Sequence, residues 1–175
     1  MKTSVFIAAS MDGYIARKDG GLDWLDMVAS EGEDYGYGAF MDTVDALVMG
    51  RVSYEKVLSF GHWPYDKPAV VLSGRSLEVP GSLRGRVESM NAAPREVVER
   101  LAARGVGHVY LDGGRTIQGF LAAGLVDRMT ISRIPVLLGE GIPLFGALPG
   151  DVRLRHNATR SYPSGLVQSD YEIVR

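Results

Sequence analysis

Short apolar runs alternate with amphipathic stretches along this chain of 175 residues. Residues 5–9 (VFIAA) form the first run and read as a buried strand. Residues 45–49 (DALVM), 69–72 (AVVL) and 108–111 (HVYL) repeat the pattern, and 86–90 gives a weaker edge strand. Residues 129–138 read as one long strand, broken or bulged near Pro135. At the end, 152–162 and 166–174 flank Pro163-Ser164-Gly165, which is a hairpin signal.

Helices are predicted between these strands. Residues 52–60 suit a short one. Residues 94–104 suit another: Pro94 fits the first helical turn, Val97, Val98 and Leu101 make an apolar stripe, and Gly105 fits the position past the end. Residues 117–123 form a third, with Phe120 and Leu121 facing inward and Gly124 as its stop. Strands alternating with helices predict an α/β fold. Its sheet is twisted and mostly parallel, with helices on both faces and a C-terminal antiparallel hairpin. There is no linker, repeat or low-complexity tract, so the expectation is one domain over residues 1–175.

Composition narrows the class. Apolar residues make up 46% and charged residues 23%, as in globular domains. A formal charge of -2 leaves no electrostatic footprint for nucleic acid or an anionic membrane, so neither is expected as a partner. The absence of cysteine excludes disulfides and thiolate chemistry, and fits a reducing cytoplasm. No apolar stretch reaches membrane-spanning length, and the N-terminal run is too short for a signal peptide. His62, His108 and His156 are far apart and read as structural or surface residues, so no metal site is expected.

The chemistry concentrates where strands end. Residues 109–117 (VYLDGGRTI) run from a buried strand through two glycines into a helix. Gly113 and Gly114 let the backbone approach a ligand, and the helix start offers free N–H groups to phosphate. A ligand-free turn would use the same residues. Residues 46–55 (ALVMGRVSYE) repeat the logic, with Gly50, Arg51 and Ser53 at the helix start. Residues 70–76 (VVLSGRS) end a third strand in Ser73 and Arg75. In open α/β sheets ligands lie beyond the carboxyl ends of the strands, and arginines there suit a nucleotide with an extra phosphate, NADP over NAD. No G-x-G-x-x-G, P-loop, G-x-S-x-G or H-E-x-x-H is present.

These segments carry a resemblance. Met49-Gly50-Arg51-Val52-Ser53-Tyr54-Glu55 and Asp112-Gly113-Gly114-Arg115 resemble the phosphate-gripping segments of dihydrofolate reductases. Residues 8–16 (AASMDGYIA), 120–127 (FLAAGLVD) and 134–145 (IPVLLGEGIPLF) resemble the reductase domain of riboflavin biosynthesis still more closely. The resemblance spans nearly the whole chain in order and spacing. It implies a dihydrofolate reductase-like sheet of about nine strands, NADPH lying across the strand ends, and hydride transfer to a small heterocyclic substrate of pterin or aminopyrimidine type. By the same resemblance, Ala8 or Ala9 and Ile15 would meet the nicotinamide. Gly50, Arg51 and Ser53 would bind phosphates. Leu72 and Ser73 would flank the adenine ribose, with Arg75 near its 2′-phosphate. Gly113, Gly114, Arg115 and Thr116 would cradle the pyrophosphate, with a cis Gly113–Gly114 bond. A homodimer is implied too, with residues 129–138 and the C-terminal strands at its interface.

The chain departs from dihydrofolate reductases at one point. A carboxylate is expected five residues after the loop tryptophan, and Ala29 follows Trp24 at that spacing, with Asp26 and Glu31 out of register. Folate reduction is therefore not expected. A reductase needs a proton donor as well as a hydride. Asp12, Glu33, Asp34 and Glu140 are the candidates; Asp12 equally suits a turn before Gly13, and Glu33 and Asp34 a helix start. Trp24, Tyr35 and Tyr37 would either wall a pocket for a flat ring or belong to the core. The alternative to an enzyme is a binding module that keeps the nucleotide site without the chemistry.

Overall fold

A computed structural model describes residues 1–175. Strand β1 (Lys2–Ser10) leads to a short β2 (Tyr14–Ala16), a 3-10 helix (Asp23–Val28) and α1 (Tyr37–Asp42). Three strand–helix units follow: β3 (Ala46–Gly50) with α2 (Arg51–Leu58), then β4 (Ala69–Leu72) and β5 (Val87–Met90) with α3 (Pro94–Ala103), then β6 (His108–Asp112) with α4 (Gly114–Ala122). The chain closes with β7 (Arg128–Ile134), β8 (Ile142–Pro143), β9 (Leu154–Ser161) and β10 (Val167–Ile173).

Eight strands form one sheet in the order β5-β4-β3-β6-β1-β7-β10-β9. The first six are parallel, and the hairpin adds two antiparallel strands to β7. β2 and β8 pair separately. This is the predicted α/β architecture. Side-chain alternation divides the core. Leu47, Met49, Val71 and Tyr110 point to the face covered by α1 and α2, where Tyr54 is fully buried. Val48, Val70, Val109 and Leu111 point to the other face and pack on Val97 and Leu101 of α3 and Ile117 and Phe120 of α4. Each such buried side chain contributes about 1.5–3 kcal/mol, so the six-stranded parallel core holds the site rigidly.

The differences from the predicted elements have local causes. β7 ends at Ile134 because Pro135 has no N–H for the ladder. α4 starts at Gly114, three residues before the apolar stripe begins. The 3-10 helix, α1, β2 and β8 have too few residues to show a period. β7 is flanked by β1 and β10, so it offers no edge, and Ile131 and Ile134 are buried at 5% and 0% exposure. β7 itself therefore offers no edge for pairing between copies, while Leu137 beyond it is 74% exposed. The edge strands are β5 and β9, and all eight residues of β9 are exposed. No helix is long and apolar enough to cross a membrane.

Candidate active site

The topology opens a crevice. Connections from β1 to β5 step outward on the α1–α2 face, and those from β5 to β7 return on the α3–α4 face. The sense reverses between β3 and β6, the place where ligands lie in open α/β sheets. β6 pairs with β1 only as far as Val5↔Leu111, while β1 continues to Ser10 beside β7 alone. A wedge therefore opens between β1 and β6 at their carboxyl ends.

Two glycine turns floor this wedge. The pairing Met49↔Asp112 sets the ends of β3 and β6 side by side. Gly113 adopts φ +89°, and a Cβ there would lie 2.2 Å from Ser53 Oγ. A Cβ on Gly114 would meet the Pro143 carbonyl at 3.1 Å and Ile15 Cδ1 at 3.2 Å, and one on Gly50 would meet Thr116 Oγ1 at 3.3 Å. The missing side chains thus let the starts of α2 and α4 converge. No side chain caps either helix, so the first-turn N–H groups of both remain available to an anion. The Gly113–Gly114 bond is trans, as are all peptide bonds in the chain, which corrects the expected cis bond. Positive φ at Gly113 supplies the turn instead.

Arg51 is more engaged than the sequence suggests. Its Nε and Nη2 donate to Ser73 Oγ at 3.1 and 2.9 Å, and Nη2 also donates to the Arg75 carbonyl at 3.0 Å. It therefore straps the loop after β4 against the start of α2. Leu72 ends β4 opposite Gly50. Arg75 and Arg115 are exposed, and Thr116 is buried. Ala9 is buried at 1%, its side chain in the core on the α3–α4 face, so only its backbone can meet a ligand.

The β2–β8 pair covers one side of the wedge, with Ile15 against Gly114. Asp12 holds this cover in place. Its carboxylate accepts from Ser10 Oγ at 2.6 Å, from Leu138 N at 3.1 Å and from Gly139 N at 2.7 Å. The Ser10 hydroxyl, helped by those amides, keeps the Asp12 carboxyl below its ordinary value. A carboxylate so held is an anchor for the 137–141 loop and stays ionised at neutral pH. Glu140 is exposed and pairs with Lys18 at 2.5 Å. Glu33 and Asp34 serve local backbone, accepting from Tyr35 N (2.7 Å) and from Gly36 and Gly38 N (2.8 and 2.9 Å). Asp26, Ala29 and Glu31 are all exposed. Trp24 and Tyr35 pack in a third core cluster under the hairpin with Ile134 and Leu166. His108 is buried between Ser4 Oγ (2.8 Å) and the Thr43 carbonyl (2.8 Å), whereas His62 and His156 are exposed.

The acid that reaches the wedge is Asp112, which the sequence reading absorbed into the glycine turn. It lies two residues after Tyr110 on β6, so both side chains leave on the α1–α2 face. That two-residue spacing was the signal available. Burial pushes the Asp112 carboxyl above its ordinary value, against the opposing pull of the Gly113 amide and the Tyr110 hydroxyl. It has no ionic partner. Around it stand Tyr37, with its hydroxyl pushed up to about 12 by burial and then by the Asp112 charge, and Tyr65 and Tyr110, raised for the same two reasons. Tyr110 also donates to the Phe6 carbonyl at 3.0 Å.

This sheet, with its wedge and paired glycine turns, belongs to the dihydrofolate reductase-like α/β class. Its fold is similar to that of the Thermotoga maritima diaminohydroxyphosphoribosylaminopyrimidine deaminase/5-amino-6-(5-phosphoribosylamino)uracil reductase. That likeness is one of fold: TM-score 0.73 and 14% identity, covering 99% of this chain and 56% of that one. The sequence matches the RibD C-terminal domain over residues 2–168, and the chain belongs to that family. It is 43% identical to a Shewanella sp. PV-4 protein provisionally assigned to riboflavin biosynthesis, with a TM-score of 0.95 over 100% of both chains. It is 38% identical over 166 residues to the uncharacterized Bacillus subtilis protein YwjB, covering 92% of each.

Proposed function

We propose that this protein is an NADPH-dependent reductase acting on a small nitrogen heterocycle of pterin or aminopyrimidine type. One observation carries the reading: two uncapped helix starts converge across a glycine cradle, beside an acid with no ionic partner. The cradle suits a dinucleotide pyrophosphate, because Gly113 lets the starts of α2 and α4 approach each other with the first-turn amides of both uncapped. Gly50, Ser53, Gly113, Gly114, Arg115 and Thr116 would hold the phosphates. Arg51, Ser73 and Arg75 would meet the adenosine end, with Leu72 beside it, and Ile15 and the Ala9 backbone would face the nicotinamide. Bound there, NADPH supplies a hydride to the substrate carbon.

The chain's own residues do the rest. Asp112, whose carboxyl burial pushes above its ordinary value, would give a proton to the ring nitrogen of a C=N bond whose carbon takes the hydride. The Tyr110 hydroxyl and the Gly113 amide would bond the carboxylate left behind. Asp12 positions the loop that covers the wedge and does not exchange protons. Calorimetry against both dinucleotides tests the cofactor. NADPH is expected to bind more tightly than NADH, and Arg51→Ala and Arg75→Ala each to weaken NADPH by about 1.5–3 kcal/mol through loss of a charged hydrogen bond. Equal affinities refute the preference. NADPH oxidation against pterins and aminopyrimidines then tests the chemistry, with dihydrofolate expected to be a poor substrate because Ala29 brings no carboxylate.

A further inference from the structure

Pro135 ends β7, and the chain lies in no strand or helix again until β8, a two-residue strand paired with β2. A strand pair so short is not stable on its own in water, so its place depends on what fastens it. Ser10 and Asp12 fasten it from one side. The buried Ser10 Oγ accepts from the Tyr14 amide at 2.9 Å and donates to Asp12 Oδ1 at 2.6 Å. Asp12 Oδ1 and Oδ2 accept from the Leu138 and Gly139 amides at 3.1 and 2.7 Å. One polar knot thus fixes both the first residue of β2 and the loop that leads into β8.

α4 fastens the same pair from the other side. Gln118 Nε2 donates to the Pro143 carbonyl at 3.0 Å and to the Leu144 carbonyl at 3.3 Å. One helical turn earlier, the buried Gly114 lies so close to β8 and β2 that a Cβ would come within 3.1 Å of the Pro143 carbonyl and 3.2 Å of Ile15 Cδ1. β2 and β8 therefore form a clip between the Ser10–Asp12 knot and the first two turns of α4. The clip cannot shift without breaking the Gln118 bonds or carrying the start of α4 with it.

Resting on the reductase reading above, we infer that Asp12 and Gln118 are positioning residues for the cofactor: they fasten the clip at its two ends, and the clip holds the first turn of α4 in place for the pyrophosphate. Neither residue touches the cofactor in this role. The first-turn amides of α4 all point along the helix axis, so a tilt of the helix start moves them together. A carboxylate suits the Asp12 position because both of its oxygens accept and its charge strengthens the amide bonds. An asparagine there keeps only one accepting oxygen.

Each residue is substituted and the effect is read at the opposite end of the clip. Deuterium uptake followed by mass spectrometry is expected to rise over residues 113–118 in Asp12→Ala. It is expected to rise over residues 137–141 in Gln118→Glu, a change of nearly equal shape that sets a carboxylate against two carbonyls. NADPH affinity, measured by calorimetry, is expected to fall about three- to tenfold in either variant, the range of one lost hydrogen bond, and by less in Asp12→Asn. The double variant Asp12→Ala with Gln118→Glu is expected to bind no more weakly than the worse single variant, because both act through one clip. Faster exchange confined to the substituted end overturns the inference, and so do NADPH losses that add in the double variant. Failure of the wild-type chain to bind NADPH at millimolar concentration removes the reductase reading, and exchange by itself then judges the coupling, so the two fall separately.

Discussion

Substituting Gly113 by alanine perturbs the cradle at its tightest point. Gly113 has φ +89° and ψ 141°, in a region of backbone space that is nearly reserved to glycine. An L-residue held there costs about 1–3 kcal/mol. The new Cβ also arrives 2.2 Å from Ser53 Oγ, well inside contact distance. Relief requires a new Ser53 rotamer or a backbone shift, an overpacking cost of roughly 1–3 kcal/mol. The sum is about 2–6 kcal/mol, and at this chain length each kcal/mol lowers Tm by about 2–4 °C. Thermal unfolding followed by circular dichroism is therefore expected to shift down by roughly 4–24 °C. NADPH affinity is expected to fall more than tenfold, because the amides of α4 are displaced from their aim. The double variant Gly113→Ala with Ser53→Ala separates the two terms: it removes the Oγ contact and keeps the φ strain, so part of the lost Tm returns. Gly113→Ala with unchanged Tm and NADPH affinity would refute the reasoning, since neither the strain nor the close approach would then exist.

Three further outcomes are expected. Asp112→Asn should lower turnover by about 10²–10⁴-fold while leaving NADPH binding intact, Asp112→Glu should keep part of the activity, and wild-type turnover should fall as pH rises through the elevated Asp112 value; an unchanged Asp112→Asn rate removes this residue from the chemistry. Burial holds His108 below its ordinary value of 6.5, so the unfolded chain takes up more protons just below that pH and stability falls as pH drops from 6.5. Urea midpoints across pH 5 to 7 should show this slope, and His108→Gln should flatten it; an equal slope in the variant assigns it to other groups. With β9 as a free and fully exposed edge, the chain is expected to form a homodimer through the hairpin, giving a light-scattering mass of twice 19.0 kDa, and Thr159→Pro in β9 should return it to the monomer mass.

Much of the framework was legible in the sequence because it is set by local chemistry. The span 69–72 is β4 to the residue, and α3 starts at the predicted Pro94, because a buried run and a fixed proline φ need no knowledge of the rest of the chain. The glycine turns at Gly50 and at Gly113-Gly114 were readable for the same reason: the strand before each one and the helix after it are local. Short elements were not legible. α1 spans six residues behind Tyr35-Gly36, too few to show a helical period.

By itself the sequence determined the α/β alternation, the places where strands pass into glycines, and the missing carboxylate at Ala29. Each depends on residues within a few positions of one another. Only the tertiary structure decided which strand ends become neighbours, and with them the site. Ser53 and Gly113 are distant in the chain and meet because β3 pairs with β6. Arg51 reads as a free ligand for phosphate until β4 brings Ser73 and the Arg75 carbonyl to its guanidinium. Asp12 reads as an acid at the cleft mouth until the 137–141 loop folds its amides onto the carboxylate. Asp112 reads as part of a turn until the fold buries its carboxyl and pushes it above its ordinary value. A charge's protonation and use depend on burial and on partners that arrive from far along the chain, and no local pattern encodes them.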